Sequence, residues 1–200
     1  MTLTLTSAIA ADPIRIGAII SKTGPASFLG EPQDITLRHY VKKINERGAV
    51  LGRQIELTVY DDATDANTAR TFASRLIDSN KVVAVLGPST TGITLAVAPV
   101  FEDARIPMVS MAAGIEIVEP VRPYVFKTPH TDRMVCLKNI ADIKSRGFKR
   151  LAMINGPDGA GKTLRTECTA AAKAAGLEIV TDETFNPTDG DMTPQLTKIK

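Results

Sequence analysis

Tryptophan is absent from this 200-residue chain, and aromatic side chains (three Tyr, six Phe) make up only 4% of it. A nucleic-acid surface needs a basic stripe and usually aromatic rings on which bases stack. Here 24 basic and 22 acidic residues are interspersed, leave a formal charge of +2 and form no basic block. That composition excludes a nucleic-acid partner. No apolar run reaches the roughly 18 residues that a membrane-spanning helix requires. Cysteine is scarce as well: Cys136 and Cys168 are too few for a disulfide framework. They read as small buried core residues, with a single bridge as the alternative. His39 and His130 have no partner at ligand spacing, so neither a metal centre nor any other cofactor is expected.

What is present begins with an export-like start. Residues 1–12 run through Thr2-Leu3-Thr4-Leu5 to Ala8-Ile9-Ala10, a small-residue pattern of the kind cleaved behind an apolar signal. They read as a residual signal peptide or a disordered tail. From Pro13 onward, short β-rich runs alternate with amphipathic stretches. Strand patterns fall at residues 14–20, 54–60, 82–86, 107–110, 124–127, 150–154 and 177–180. Helical spacing covers residues 33–47, 66–79, 92–103, 132–145 and 162–175, with a last helix from about 193. Gly48 and Gly176 are placed to end two of these helices. This alternation predicts an α/β fold with doubly wound parallel sheets and right-handed crossovers.

Pro120, Pro123 and Pro129 mark a stretch where the chain can leave one sheet for another. The reading is therefore a first unit over 13–127, then a crossover and a second unit over 128–200. The second unit has two full strands, too few to close a sheet of its own, so its remainder is expected to lie outside this chain.

Ligands of doubly wound sheets bind beyond the carboxyl ends of the strands. Four loops qualify: 21–30, 61–65, 87–94 and 111–115. Gly87-Pro88-Ser89-Thr90-Thr91-Gly92 follows a buried strand and opens a helix, where free N–H groups and the dipole favour a carboxylate. N-capping would use one hydroxyl, and three stand in a row. Met111-Ala112-Ala113-Gly114 offers small residues past which a ligand can reach backbone, or simply a tight turn. Asp61 and Asp62 read as solvated strand-end charges beside the next helix, with a Mg²⁺ or acid–base role as the alternative. Gly156-Pro157-Asp158-Gly159-Ala160-Gly161-Lys162-Thr163 matches the phosphate-loop pattern between a strand and a helix. A nucleotide-binding enzyme using Lys162 and Thr163 is thus the second functional reading. No apolar strand ending in Asp follows it to hold Mg²⁺.

Together these segments resemble the type I periplasmic substrate-binding proteins of the branched-chain amino-acid and amide class of ABC transporters. The resemblance rests on IRIGAIISKTGPASFLG, INERGAVLGRQIELTVYDDATD, VVAVLGPSTTGIT, VFEDARIPMVSMAAG, YVFKTP and RLAMINGPDGAGKTL, in order and at family spacing over about residues 14–200. It implies two lobes that close over a solute, no catalysis, a periplasmic location, a monomer when full length and delivery to a membrane permease. Carried over by position, the hydroxyl that grips the solute carboxylate falls on Thr91, with Ser89 and Thr90 beside it. The backbone contact falls on Ala112, next to Ala113, and the tip of the first loop on Leu29. Four positions depart from the amino-acid binders or from some members of the family. Gly114 stands where they usually carry Thr, and Ala160 replaces an aromatic of the second lobe. The cysteines that some members pair fall on Thr64 and Thr90. The acidic partner of an ammonium would lie beyond Lys200. The expected ligand is a small carboxylate-bearing solute: a branched-chain or other amino acid, or an aromatic or aliphatic acid.

Overall fold

The computed structural model describes residues 12–186, 188 and 190–199; the expected signal peptide or tail lies, but for Asp12, outside the described residues. β1 (Ile14–Ile20) is followed by α1 (Ser27–Glu46), β2 (Ile55–Asp61), α2 (Ala66–Asp78), β3 (Ala84–Leu86) and α3 (Thr91–Asp103). Then come β4 (Met108–Ser110), a 3-10 turn (Ile115–Ile117) and β5 (Val125–Lys127). The second series is α4 (Asp132–Ser145), β6 (Arg150–Asn155), α5 (Gly159–Ala175), β7 (Glu178–Thr184) and α6 (Thr193–Thr197).

The first sheet has the order β2-β1-β3-β4-β5, and every pairing in it is parallel. The chain moves outward from β1 to β2, then crosses back so that β3 pairs with the other side of β1. That reversal opens a crevice beyond the carboxyl ends of β1 and β3. The core beneath it is built from Ile19, Leu76, Val85, Val97, Phe101 and Met108, all fully buried. Each such side chain contributes roughly 1.5–3 kcal/mol of burial. The expected face of α2 is the one that packs: Ala69, Ala73 and Leu76 are buried. Gly17 lets Leu76 press onto the strand, since a Cβ there would lie 2.8 Å from its Cδ1.

The second sheet pairs β6 with β7, also in parallel. Its core is smaller and gathers Cys136, Ile140, Ala171, Ala172 and Leu177 between α4, α5 and the strands. Gly176 ends α5 with a left-handed φ of 74°, as its position predicts.

Two expectations are corrected. Cys136 and Cys168 are not free core residues: they form a disulfide between α4 and α5, with Cα atoms 4.7 Å apart. Packing those helices side by side brings together residues 32 positions apart, which spacing alone does not reveal. The helix expected at 33–47 begins at Ser27, so the first loop shrinks to residues 21–26. Gly30 and Pro32, both poor helix-interior residues, mask its first turns in the sequence. Gly30 is there because the helix crosses the end of β1 closely: a Cβ on it would lie 2.0 Å from the Ser21 carbonyl oxygen.

Candidate functional site

Three segments meet at the crevice: the β1–α1 loop, the turn from β3 into α3, and the loop after β4. Gly87 takes a φ of 93°, and a Cβ there would come within 2.1 Å of the Ile19 carbonyl oxygen. Only glycine lets the β3 turn pass so close to β1.

The hydroxyls of this turn have different tasks. Ser89 donates to Gln33 Oε1 at 2.6 Å and accepts the Ser21 N–H at 3.1 Å, which ties α1 and the end of β1 to the turn. Its proton is thereby engaged. Thr90 caps α3, its hydroxyl accepting the Ile93 N–H at 3.4 Å. Thr94 donates to the Thr90 carbonyl at 2.8 Å. Each hydroxyl carries one proton, so the 2.8 Å contact between Thr94 and Ser110 has Ser110 donating. Ser110 in turn accepts the Ala112 N–H at 3.1 Å. This chain locks the loop after β4 to the start of α3.

Thr91 differs from its neighbours. It is 1% exposed, and the only hydrogen bond of its hydroxyl among the described residues is one accepted from the Gly114 N–H at 3.2 Å. Its hydroxyl proton remains available. The N–H groups of Thr91 and Gly92 lie in the first turn of α3, where no helical acceptor exists. One hydroxyl and two amide donors therefore stand at the positive end of a helix, an arrangement suited to an anion.

The loop after β4 forms the adjoining wall. Ala112 and Gly114 are buried and Ala113 is half-buried. The Ala113 carbonyl accepts both the Lys127 ammonium at 2.7 Å and the Asp132 N–H at 3.2 Å. A Cβ on Gly114 would fall 2.3 Å from the Thr91 methyl carbon. Lys127 also donates to the His130 carbonyl at 3.0 Å. Burial pulls its pKa down, partly opposed by the Asp132 carboxylate.

Leu29 sits in the first turn of α1, half-buried and four residues before Gln33, so the two share a helix face. Pro32, Gln33, Thr36, Leu37 and Met111 line an open, largely apolar hollow of about 230 Å³ beside the hydroxyl turn. A hollow of about 300 Å³ among His39, Lys42, Lys43 and Glu46 lies on the later turns of α1, which run away from these strand ends.

Asp61 and Asp62 do not both behave as solvated charges, which corrects the sequence reading. Asp61 accepts the N–H groups of Lys22, Thr23 and Ala63 at 2.9, 3.1 and 3.0 Å, and the Thr23 hydroxyl at 2.8 Å. Burial alone would raise its pKa, but these donors hold it below the usual range. Asp62 is fully buried; one carboxylate oxygen takes the Thr64 N–H at 2.8 Å, and the other makes no hydrogen bond within normal geometry among the described residues. Burial pushes its pKa up, and the charges of Asp61 and Asp65 add to this. Asp61 anchors the β1–α1 loop, and Asp62 braces the β2–α2 turn. Among the described residues no His, Cys, Asp and Glu group could hold a metal ion.

The phosphate-loop match is answered by local geometry. Asp158 caps α5 with its own carboxylate, accepting the Gly161 N–H at 2.7 Å. Gly161 packs so tightly on Gly156 that a Cβ would meet its carbonyl oxygen at 2.0 Å. The Thr163 hydroxyl is buried against the Asp132 carboxylate, and Lys162 is exposed. A phosphate at this helix start would meet the Asp158 negative charge. Ala160, in the first turn of α5, is half-buried, and its carbonyl lies 3.0 Å from the Thr163 hydroxyl. Its neighbour Gly159 touches α3: a Cβ there would be 2.8 Å from the Gly92 nitrogen.

Sequence reasoning missed Lys127, Asp132 and Gly159. Lys127 ends β5, so the strand-end rule that selected the other loops would have included it. Gly159 was hidden inside the phosphate-like turn.

The family model described as periplasmic binding protein matches residues 13–200. Over its whole length the chain is 27% identical to the Leu/Ile/Val-binding protein BraC3 of Rhizobium johnstonii, covering 56% of that protein. A solute-binding protein of an ABC transporter from Rhodopseudomonas palustris BisB5, solved with 3,4-dihydroxy benzoic acid, superposes with a TM-score of 0.84 at 26% identity. That match covers 94% of this chain and 51% of the other. The branched-chain amino acid transporter substrate-binding protein LivJ of Streptococcus pneumoniae, solved with isoleucine, superposes with a TM-score of 0.83 at 25% identity. It covers 94% of this chain and 53% of the other. The chain thus spans about half the length of the curated relatives it matches.

Proposed function

This chain belongs to the periplasmic binding protein family, and from that premise we propose that it forms one wall of a solute-capturing cleft in an exported ABC-transporter binding protein. In this reading residues 13–127 make the first lobe, and residues 128–200 make the crossover and part of the second. The solute is a small molecule with a carboxylate, and the closed protein hands it to a membrane permease without chemical change. The whole protein works as a monomer in the periplasm. A disulfide between Cys136 and Cys168 suits such an oxidising compartment.

One observation carries the proposal. At the start of α3 the Thr91 hydroxyl proton and the Thr91 and Gly92 N–H groups have no acceptor among the described residues, while the Ser89, Thr94 and Ser110 hydroxyls hold the surrounding backbone. Preset donors need little ordering when an anion arrives. A hydrogen bond to a charged group contributes about 1.5–3 kcal/mol, more than one between neutral groups. Two neighbours from the same fold were solved with isoleucine and with 3,4-dihydroxy benzoic acid. Those molecules share a carboxylate and little else. The apolar hollow by Leu37 and Met111 suits the body of such a solute.

The test is a thermal-shift comparison of free acids with their methyl esters on the full-length protein. A ligand at a hundredfold its Kd stabilises the folded state by about 2.7 kcal/mol. The acid that binds should raise Tm, and its ester should not. Equal shifts from both would show that the carboxylate is not what the site recognises.

A further inference from the structure

We propose that Asp62 is a proton-operated switch for the β1–α1 loop: its neutral carboxyl holds the loop against the start of α3, and its ionised form loosens it. This holds whichever solute the cleft takes.

The mechanical link runs through Thr64. Asp62 Oδ1 accepts the Thr64 N–H at 2.8 Å, in a turn where Ala63 and Thr64 take left-handed φ values of 51° and 62°. Such backbone is unfavourable for residues other than glycine and persists only where contacts impose it. The Thr64 hydroxyl then grips the loop at two points, accepting the Ala26 N–H at 3.1 Å and donating to the Thr23 carbonyl at 3.0 Å. On the other side, the Asp62 N–H donates to the Ile20 carbonyl at 3.1 Å. The next residue, Ser21, donates its N–H to Ser89 in the turn that opens α3. Whatever holds Asp62 in place therefore holds the loop and one edge of that turn.

The second oxygen is where the proton belongs. Asp62 and Ser21 are both 0% exposed, and neither Asp62 Oδ2 nor Ser21 Oγ completes a hydrogen bond of normal geometry among the described residues. Burial pushes the Asp62 pKa up; the Ser21 hydroxyl and the Thr64 N–H oppose this without reversing it, and the Asp61 and Asp65 charges add to it. Burial also raises the Asp61 pKa, but its donors hold it below the usual range, and the Thr68 N–H does the same for Asp65. Both are therefore already negative when Asp62 titrates. The cations nearby are engaged elsewhere. Lys22 of the loop and Arg38 of α1 both pair with Asp34, at 3.0 and 2.8 Å. Arg70 of α2 donates to Asn67 and to the Ala96 carbonyl. Glu31 of α1 is exposed, and residues 87–92 include no ionisable side chain. An acid whose native state favours the proton lends stability that is complete below its unfolded pKa and is lost as pH rises through the native one.

Asp62→Asn tests this, because its amide supplies the N–H that the proton would and keeps an oxygen for Thr64. In the full-length protein it should raise Tm by about 2–4 °C at about pH 8. That gain should vanish below about pH 4, where an unfolded aspartate is itself protonated. Hydrogen exchange gives a local reading in the wild-type protein. Protection of the Ser21, Ala26 and Thr64 amides, corrected for base catalysis, should fall about fivefold between about pH 5 and about pH 8. In Asp62→Asn it should stay level. Ser21→Ala removes a hydroxyl that favours the charged form, so there the fall should move to higher pH. An Asp62→Asn protein that melts no higher than wild type at about pH 8, or keeps its gain below about pH 4, overturns the proposal. Level protection in the wild-type protein, or a fall that Ser21→Ala leaves unmoved, does the same.

Discussion

Replacing Cys136 and Cys168 together by alanine in the full-length protein should lower the unfolding free energy of the unit that holds them by about 3–4 kcal/mol. The bridge closes a loop between positions 32 residues apart, and such a loop loses much of its freedom in the unfolded chain. It also joins the two helices that flank the smaller core, a cluster built from Cys136, Ile140, Ala171, Ala172 and Leu177. Removing a fully buried sulfur adds a packing loss to the entropic one. Denaturant unfolding followed by circular dichroism measures the change. A loss below about 1 kcal/mol would mean that helix packing, not the bridge, holds α4 against α5.

Gly159→Ala should weaken solute binding tenfold or more while leaving the unliganded protein as stable as before, or slightly more so. Gly159 is the first residue of α5 in ordinary helical geometry, so alanine there favours the helix by about 0.4–1 kcal/mol. The added methyl, however, would sit 2.8 Å from the Gly92 nitrogen and 3.1 Å from its Cα, and backbone cannot swing aside. The start of α5 must then draw back from the start of α3, and the cleft stays ajar over Thr91. Calorimetry with the cognate acid, beside a melt without ligand, separates the two effects. Unchanged affinity would show that the Gly159–Gly92 approach plays no part in closure; a lowered melting temperature would point to a folding defect.

The fold was legible because its signals are local. Alternating β-rich runs and helical spacing placed α4 over its observed span, and the four loops chosen by strand-end position include the β3 and β4 turns of the candidate site. The misses are long-range. The Cys136–Cys168 bridge depends on how α4 docks on α5, the burial of Asp62 on how the β1–α1 loop folds over it, and the saturation of Ala113 on Lys127 arriving from β5. Gly30 and Pro32 hid the first turns of α1 because propensity argues against a helix that tertiary contacts impose. At the site, residue type alone ranked Ser89, Thr90 and Thr91 together. The family resemblance singled out Thr91 by position, and the hydrogen-bond partners supply the physical reason: Ser89 holds α1, whereas the Thr91 hydroxyl proton has no acceptor among the described residues.

That difference offers the most direct measurement. Thr91→Val keeps the methyl group against Gly114 and removes only the hydroxyl. In the full-length protein, calorimetry with the acid that binds should show an affinity loss of about ten- to a hundredfold, the equivalent of one charge-assisted hydrogen bond. An unchanged Kd in a folded Thr91→Val protein would contradict a carboxylate seat at the start of α3.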